Sequence, residues 1–447
     1  MKDTIAAIST ALGVGAISII RVSGDDSIEI VNNITKGKKL LDKESHTITY
    51  DYIVENDNII DEVLISVMRA PRTFTREDIV EINCHGGIST TNKILEILLM
   101  NGCRLAEPGE FTKRAFLNGR INLNQAEAVM DLINSKTEKA RILAINGVTG
   151  NVSNMIRDLR SKLVDLLASI EVNIDYPEYD NEEVTENDVQ NELGNIRNRL
   201  LDILNNSENG KIIKEGIKTC IIGKPNVGKS SILNGLLEEE KAIVTDIEGT
   251  TRDIVEGTLT IDGIIFNILD TAGIRETDDT VEKIGVEKSI KLIDEADLVL
   301  FVLNNNEELS NEEKEILSKV KDKNYILIVN KIDLEKKLDI EDDNIVYLSA
   351  LNNDGFDKLK SKIKELFNLE KFETSDLTYL TGTKNIAIVK ESLRSIDDVE
   401  VAINNNMPID MIEIDIKNIW NLLGSIIGES YSEELIDEMF SKFCLGK

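Results

Sequence analysis

The segment Gly223-Lys224-Pro225-Asn226-Val227-Gly228-Lys229-Ser230 follows an apolar run, opens a helical pattern and has the spacing G-x-x-x-x-G-K-[ST]. In that setting the glycines let backbone N–H groups close around a β-phosphate, and the helix N-terminus adds partial positive charge. Asn226, Val227, Gly228, Lys229, Ser230 and Ser231 are the phosphate-binding candidates. Lys229 is the residue to reach the β- and γ-phosphates, and the Ser230 hydroxyl offers a hard oxygen to Mg²⁺. Asp270-Thr271-Ala272-Gly273 ends a second apolar run. There Asp270 can hold Mg²⁺ through water, and the Gly273 amide can sense a γ-phosphate.

Asn330-Lys331-Ile332-Asp333 ends a third run, and Ser349-Ala350 a fourth. A carboxylate at Asp333 accepts from guanine N1–H and the 2-amino group. Adenine lacks both donors, which is worth a discrimination of about 10⁴. At Ser349-Ala350 a backbone N–H can meet guanine O6. Any one of these tetrapeptides is weak, but all of them in order, each at a strand's C-terminal end, describe an α/β ligand site. Between the first two pieces lies Thr245-Asp246-Ile247-Glu248-Gly249-Thr250-Thr251, where position selects Thr251 as a second Mg²⁺ ligand. The sum implies a site that binds and hydrolyses GTP. Ile274 stands where a water-orienting glutamine would be expected. Hydrolysis therefore needs another group: an arginine supplied in trans, or a monovalent cation to which the Asn226 amide oxygen is offered.

The elements that must position these groups follow from periodicity. Residues 217–367 alternate short apolar strands, at 217–222, 264–269, 298–303, 325–329 and 345–348, with helices, which implies a mainly parallel sheet. Residues 1–118 read as mixed α/β, with strands at 16–20, 62–67 and 79–82 and a helix over 90–100. Helical periodicity runs from about residue 124, breaks at Tyr176-Pro177, resumes over roughly 186–206 and returns after 371. Residues 205–210, rich in Asn and Gly, read as a linker. The expected fold class is thus multidomain α/β plus all-α: an α/β domain over 1–118, a central helical domain over 119–210 and 371–447, and an inserted P-loop (Ras-like) domain over 211–370.

The bulk numbers bound the rest. The chain has 447 residues, enough for about three domains. Four cysteines with no close pair argue against a disulfide framework, and two histidines argue against a histidine-rich metal site. No apolar run is long enough to span a membrane, and the N-terminus lacks a signal peptide's apolar core, so a cytoplasmic protein is expected. The net charge is −30, of which residues 1–118, with 13 Lys/Arg against 17 Asp/Glu, carry −4, leaving −26 for the other 329. Phosphate backbones bind Lys and Arg, so work on a nucleic acid would need a partner's positive surface. A ribosome-assembly or RNA-chaperone GTPase is the alternative reading, but it wants a basic RNA-binding module after the nucleotide domain, and residues 371–447 are acidic and helical.

Outside the nucleotide motifs the chain carries Arg21-Val22-Ser23-Gly24, Phe74-Thr75-Arg76-Glu77-Asp78, His85-Gly86-Gly87, the run from Pro108 to Arg120, Gln125-Ala126-Glu127-Ala128, and the terminal Phe443-Cys444-Leu445-Gly446-Lys447. With these it resembles, over essentially its whole length, the MnmE (TrmE) family of tRNA-modification GTPases. The resemblance implies an N-terminal domain that binds a 5-formyl- or methylene-tetrahydrofolate and builds a homodimer. Arg21, Glu77, Arg120 and Lys447 match the family's folate positions, although each alone would read as a solvated surface charge. It implies K⁺-stimulated hydrolysis, with Asn226, Thr245, Ile247 and Thr250 matching the ion's ligands and Glu282 matching the acid that orients the attacking water. It also implies a heterotetramer with the FAD- and NADH-dependent GidA (MnmG) protein, which carries most of the tRNA contact. The complex's product would be a carboxymethylaminomethyl or aminomethyl group at C5 of the wobble uridine. Cys444 reads as a small buried hydrophobe of a docked tail rather than a nucleophile.

Overall fold

The computed structural model describes residues 3–175, 186–239, 257–269, 286–367, 380, 382–428, 440, 441, 443 and 446. Thr245 to Thr251, Asp270 to Ile274, Glu282, Cys444, Leu445 and Lys447 therefore lie outside the described residues. By compactness the chain divides into two units: residues up to 130 with 147–200 and 382–447, and residues 131–146 with 201–381.

The first unit opens with β1 (Ile5–Ile8), β2 (Ile17–Ser23), α1 (Ser27–Ile34), β3 (Thr47–Glu55), β4 (Asn58–Met68), β5 (Ile79–His85), α2 (Ile88–Met100), β6 (Arg104–Leu105) and α3 (Glu110–Leu117). The strands form one sheet in the order β3-β4-β5-β2-β1-β6, antiparallel except where β1 meets β6. Alternation sets its core face: Val63, Ile65 and Val67 of β4 and Val80, Ile82 and Cys84 of β5 turn inward. Ile28, Val31 and Ile34 of α1 and Ile94, Ile97 and Leu98 of α2 cover them. The opposite face carries Arg21, Glu81 and His85 beside a small apolar core of Ile5, Ala7, Ala106 and Phe111.

Helices follow: α4 (Leu123–Asn134), α5 (Glu138–Val148), α6 (Asn151–Asp175) and α7 (Glu186–Glu215). In α6 the residues Val152, Ile156, Leu159, Leu163, Leu166 and Ile170 are buried at helical spacing. The sequence reading of 205–210 as a linker is wrong, because α7 runs through it. Ile203, Ser207 and Ile213 are buried there, and the Ser207 hydroxyl donates to Ile203 O at 2.6 Å and accepts from Leu380 N at 2.8 Å. Burial of that face outweighs the poor helix propensity of Asn and Gly.

The second unit is built on β7 (Ile217–Ile222), α8 (Lys229–Glu239), β8 (Gly257–Ile261), β9 (Ile264–Leu269), α9 (Val286–Glu295), β10 (Leu298–Asn304), α10 (Asn311–Val320), β11 (Tyr325–Asn330), β12 (Ile345–Tyr347) and α11 (Phe356–Leu366). Its sheet runs β12-β11-β10-β7-β9-β8, all parallel except β8. β10 is buried along its whole length, as a central strand covered on both faces must be. The sequence reading missed β8, an edge strand joined to β9 by a tight Asp262-Gly263 turn with both residues at positive φ (50° and 75°). The chain returns to the first unit with α12 (Thr383–Asn404) and α13 (Ile409–Ile426). Asn385 Nδ2 donates to Asn124 Oδ1 at 2.8 Å and Asn124 Nδ2 donates to Ile426 O at 2.9 Å, so two buried amides register α4, α12 and α13.

One charged network is centred on a fully buried arginine. The Arg114 guanidinium, 1 % exposed, donates to Glu110 Oε1 at 3.0 Å, Asp3 Oδ1 at 3.0 Å and Glu77 Oε1 at 3.1 Å. Arg104 adds a second cation on Glu110 at 2.5 Å. Burial pushes the Glu110 carboxyl up, but the Arg104 and Arg114 guanidinium groups and the Glu107 N–H outweigh it and hold it below its ordinary 4.5. A depressed folded pKa means that the stabilisation is complete above about pH 4.5 and is lost as pH falls further. Glu110→Gln should cost about 3 kcal/mol at neutral pH, because it leaves Arg114 under-compensated, and should flatten the loss of stability between about pH 5 and 3. Urea unfolding across that range checks both.

Candidate functional site

The phosphate-binding loop leaves β7 and enters α8, and its backbone takes the shape the sequence demands. Gly223, Asn226 and Gly228 have φ of 150°, 62° and 99°. A Cβ on Gly223 would overlap Val302 O, and one on Gly228 would overlap Asn330 Nδ2, so both positions need glycine for space as well as conformation. Lys229 Nζ donates to Gly223 O at 3.0 Å and Lys224 O at 2.8 Å, curled over its own loop. Ser230 and Ser231 follow it in the first turn of α8. The Ser230 hydroxyl is a hard donor of the type Mg²⁺ prefers, and the Asn226 amide oxygen is one that suits K⁺. Its expected companions Thr245, Ile247, Thr250 and Thr251, with Asp246, Glu248 and Gly249, lie outside the described residues, as do Asp270, Thr271, Ala272, Gly273 and the proposed acid Glu282.

The Asn330–Asp333 and Ser349-Ala350 segments are tied to that loop by side chains. Asn330, 2 % exposed, donates from Nδ2 to Val227 O at 2.8 Å and accepts at Oδ1 from Ala350 N at 3.0 Å. Lys331 Nζ donates to Asn226 O at 2.7 Å, with Lys331 itself at φ 64°. The Asp333 carboxylate stands exposed and accepts from Ser349 Oγ at 2.5 Å, leaving its outer oxygen toward solvent. The described candidates Asn226, Val227, Gly228, Lys229, Asn330, Lys331, Asp333, Ser349 and Ala350 thus form one connected surface at the C-terminal ends of β7, β11 and β12.

A second cluster sits on the first unit. Arg21 of β2 donates to Glu81 of β5 at 2.8 Å and lies 5.7 Å from the Phe111 ring centroid. Arg120 lies 5.1 Å from the Phe74 centroid, and Phe74 packs against the core that holds Phe111. Two cations therefore rest on one aromatic shelf. Glu77 accepts from Ser23 Oγ at 2.8 Å and from Arg114, which fixes its direction. Near the C-terminus Gly446 sits at φ 85° against Ile8 O, and Ser9 Oγ donates to Gly446 O at 3.1 Å. Ala7 pairs with Arg21, so the tail reaches the same end of β1, and Lys447 follows outside the described residues. Sequence reasoning quoted Phe74, Phe111 and Arg114 only within motif runs and Glu81 only within a strand, with no role assigned. Arg114 lay inside the Pro108–Arg120 run, and only its burial marks it as a positioning group. The described cysteines, Cys84, Cys103 and Cys220, are buried, and burial pushes the Cys103 and Cys220 thiols up to about 12, which leaves them inert.

Two families match the chain. Residues 4–120 match the GTP-binding protein TrmE N-terminus, and residues 123–444 match the MnmE helical domain. The tRNA modification GTPase MnmE of Bacillus mycoides (strain KBAB4) is 52 % identical over 455 residues, covering 100 % of this chain and 99 % of the relative. The protein of the same description from Bacillus anthracis gives the same identity and coverage. Among solved structures, the FeoB G-domain from Methanococcus jannaschii aligns with 34 % of this chain and 97 % of its own, at 23 % identity and a TM-score of 0.25.

Asn330→Ala removes both bonds that join the phosphate and base loops. It should weaken GTP binding about 30-fold, or about 2 kcal/mol for the stranded Val227 carbonyl and Ala350 N–H. Titration calorimetry with GTP measures this directly.

Proposed function

The chain belongs to the MnmE family of tRNA-modification GTPases, and from that premise we propose that it turns over GTP to drive the modification of the wobble uridine of certain tRNAs at C5, together with a flavin- and NADH-dependent partner of the GidA (MnmG) kind. The observation that carries the reading is the Asn330 bridge, which ties the phosphate loop at Val227 to the Ser349-Ala350 loop, whose Ser349 hydroxyl in turn holds the Asp333 carboxylate. In this pocket the α8 N-terminus and Lys229 draw the phosphates, Ser349 aims Asp333, and Lys331 braces the phosphate loop at Asn226. Ser230 with Thr251 would hold Mg²⁺, which when bound neutralises charge shared by the β- and γ-phosphates. Asn226, with Thr245, Ile247 and Thr250, would hold K⁺ in the place of an arginine finger, and Glu282 would orient the water.

The folate site we propose uses Arg21 and Arg120 for the glutamate tail and Glu77 for the pterin's donor edge, with Lys447 completing it. Its cofactor would supply the one-carbon unit. Arg114 supports this reading because it donates to both oxygens of Glu77 and so aims the carboxylate. We further propose a homodimer through this unit. Leu12, Val14, Ile17 and Ile88 leave large apolar side chains in solvent there, Val14 being 99 % exposed, around a cleft of about 190 Å³. tRNA would be bound largely by the partner, as the net charge of −30 suggests. We place the protein in the cytoplasm; no helix among the described residues is long and apolar enough to cross a membrane.

At equal ionic strength, GTP hydrolysis should run about tenfold or more faster in KCl than in NaCl, and Asn226→Ala should abolish the difference. Equal rates in both salts would remove the cation mechanism. The full chain should bind 5-formyl-tetrahydrofolate, and Arg21→Ala should weaken that binding about tenfold by equilibrium dialysis.

A further inference from the structure

The phosphate loop is also gripped from outside the nucleotide pocket. Lys224, the residue after Gly223, extends its ammonium to Glu313 Oε2 at 2.7 Å, in the first turn of α10. Glu313 is at the same time half of that helix's capping box: its Oε2 accepts from Ser310 N and Ser310 Oγ, each at 2.9 Å, and its own N–H donates to Ser310 Oγ at 3.3 Å. One oxygen thus takes three donors. The Glu313 side chain is 6 % exposed and that of Lys224 29 %.

A capping box asks only for Glu or Gln at this position, because either supplies an acceptor to the N-cap N–H. The negative charge is more than the cap needs, and what it meets is the phosphate loop. Lys229 Nζ donates to Gly223 O and Lys224 O, so the Lys224–Glu313 pair fixes the stretch of backbone on which the phosphate-binding ammonium rests. The loop that enters α10 reaches the base side as well. Asn305 N donates to Asn330 O at 2.9 Å, and Asn305 Nδ2 donates to Leu334 O at 3.1 Å. The first turn of α10 and its entry loop therefore hold both the phosphate loop and the Asn330–Leu334 segment.

We infer that Lys224 and Glu313 are positioning residues for guanine nucleotide: their ion pair holds the phosphate loop in its binding shape and so sets affinity. This rests on the guanine-nucleotide reading of the site. Holding the loop serves every bound state alike, so losing it costs GTP and GDP affinity together and falls on KM rather than kcat.

The test uses the full chain and fluorescent GTP and GDP titrations with steady-state hydrolysis. Glu313→Gln keeps the cap's acceptor and removes only the charge. Lys224→Met removes the partner without touching α10. Each should raise the Kd of both nucleotides about tenfold, the scale of one partly buried ion pair. The double variant should be no worse than either single one, because both delete the same contact. Unchanged affinity in Glu313→Gln would overturn the inference. So would a loss confined to Lys224→Met, which would put Lys224 on the phosphates themselves, or losses that add in the double variant. Failure of the unsubstituted chain to bind GTP would instead remove the guanine-nucleotide reading.

Discussion

A single buried amide makes the nucleotide pocket one object. Asn330 ends β11, and its side chain reaches the carbonyl of Val227 in one loop and the N–H of Ala350 in another. Both are backbone groups, so the bridge holds main chain to main chain. Burial gives the bridge its strength, since a backbone group stranded there would lose water without gaining a partner. It also explains the sequence around it. Gly228 has no room for a Cβ because Asn330 Nδ2 occupies that space. Lys331 adopts φ 64°, and its ammonium comes back onto Asn226 O. The parallel strands then supply the direction, since β7, β10, β11 and β12 deliver their loops to the same edge of the sheet.

The first unit solves the same problem with charge. Arg114 is buried on a short helix whose neighbours are acids, and it aims Glu77 while neutralising Glu110 and Asp3. Such a network contributes little net stability compared with a well-packed apolar one, but it punishes the loss of any single member. Its product is a carboxylate fixed in direction beside a shelf of aromatic rings and two guanidinium groups. In both units, then, the groups that face outward are held by buried polar side chains.

That division explains what the sequence made legible. Nucleotide motifs are constrained in type and spacing, so Gly223 to Ser230, Asn330 to Asp333 and Ser349-Ala350 could be picked out as candidates from the sequence. Elements positioned by tertiary contact could not. β8 is a short edge strand whose only strong signal is the Asp262-Gly263 turn. α7 continues through Asn205 to Gly210 because Ser207 and its neighbours are buried, which propensity does not register. Arg114 stood within a recognised run but looked like any other basic residue, since its role comes from Asp3 and Glu77, distant in sequence. Glu313 had the pattern of a helix cap and gave no sign of its reach to Lys224.

The central claim is that Asp333, held by Ser349, reads guanine in a pocket closed by Asn330. The most direct measurement is a competition titration of GTP, ATP and XTP against the unsubstituted chain and Asp333→Asn. The unsubstituted chain should prefer GTP over ATP and XTP by a factor on the order of 10⁴. In Asp333→Asn the position gains a donor, so xanthine's 2-oxo group becomes the match and the preference should move from GTP to XTP. A chain that binds ATP and GTP alike, or an Asp333→Asn variant that keeps its preference for GTP, would contradict the account.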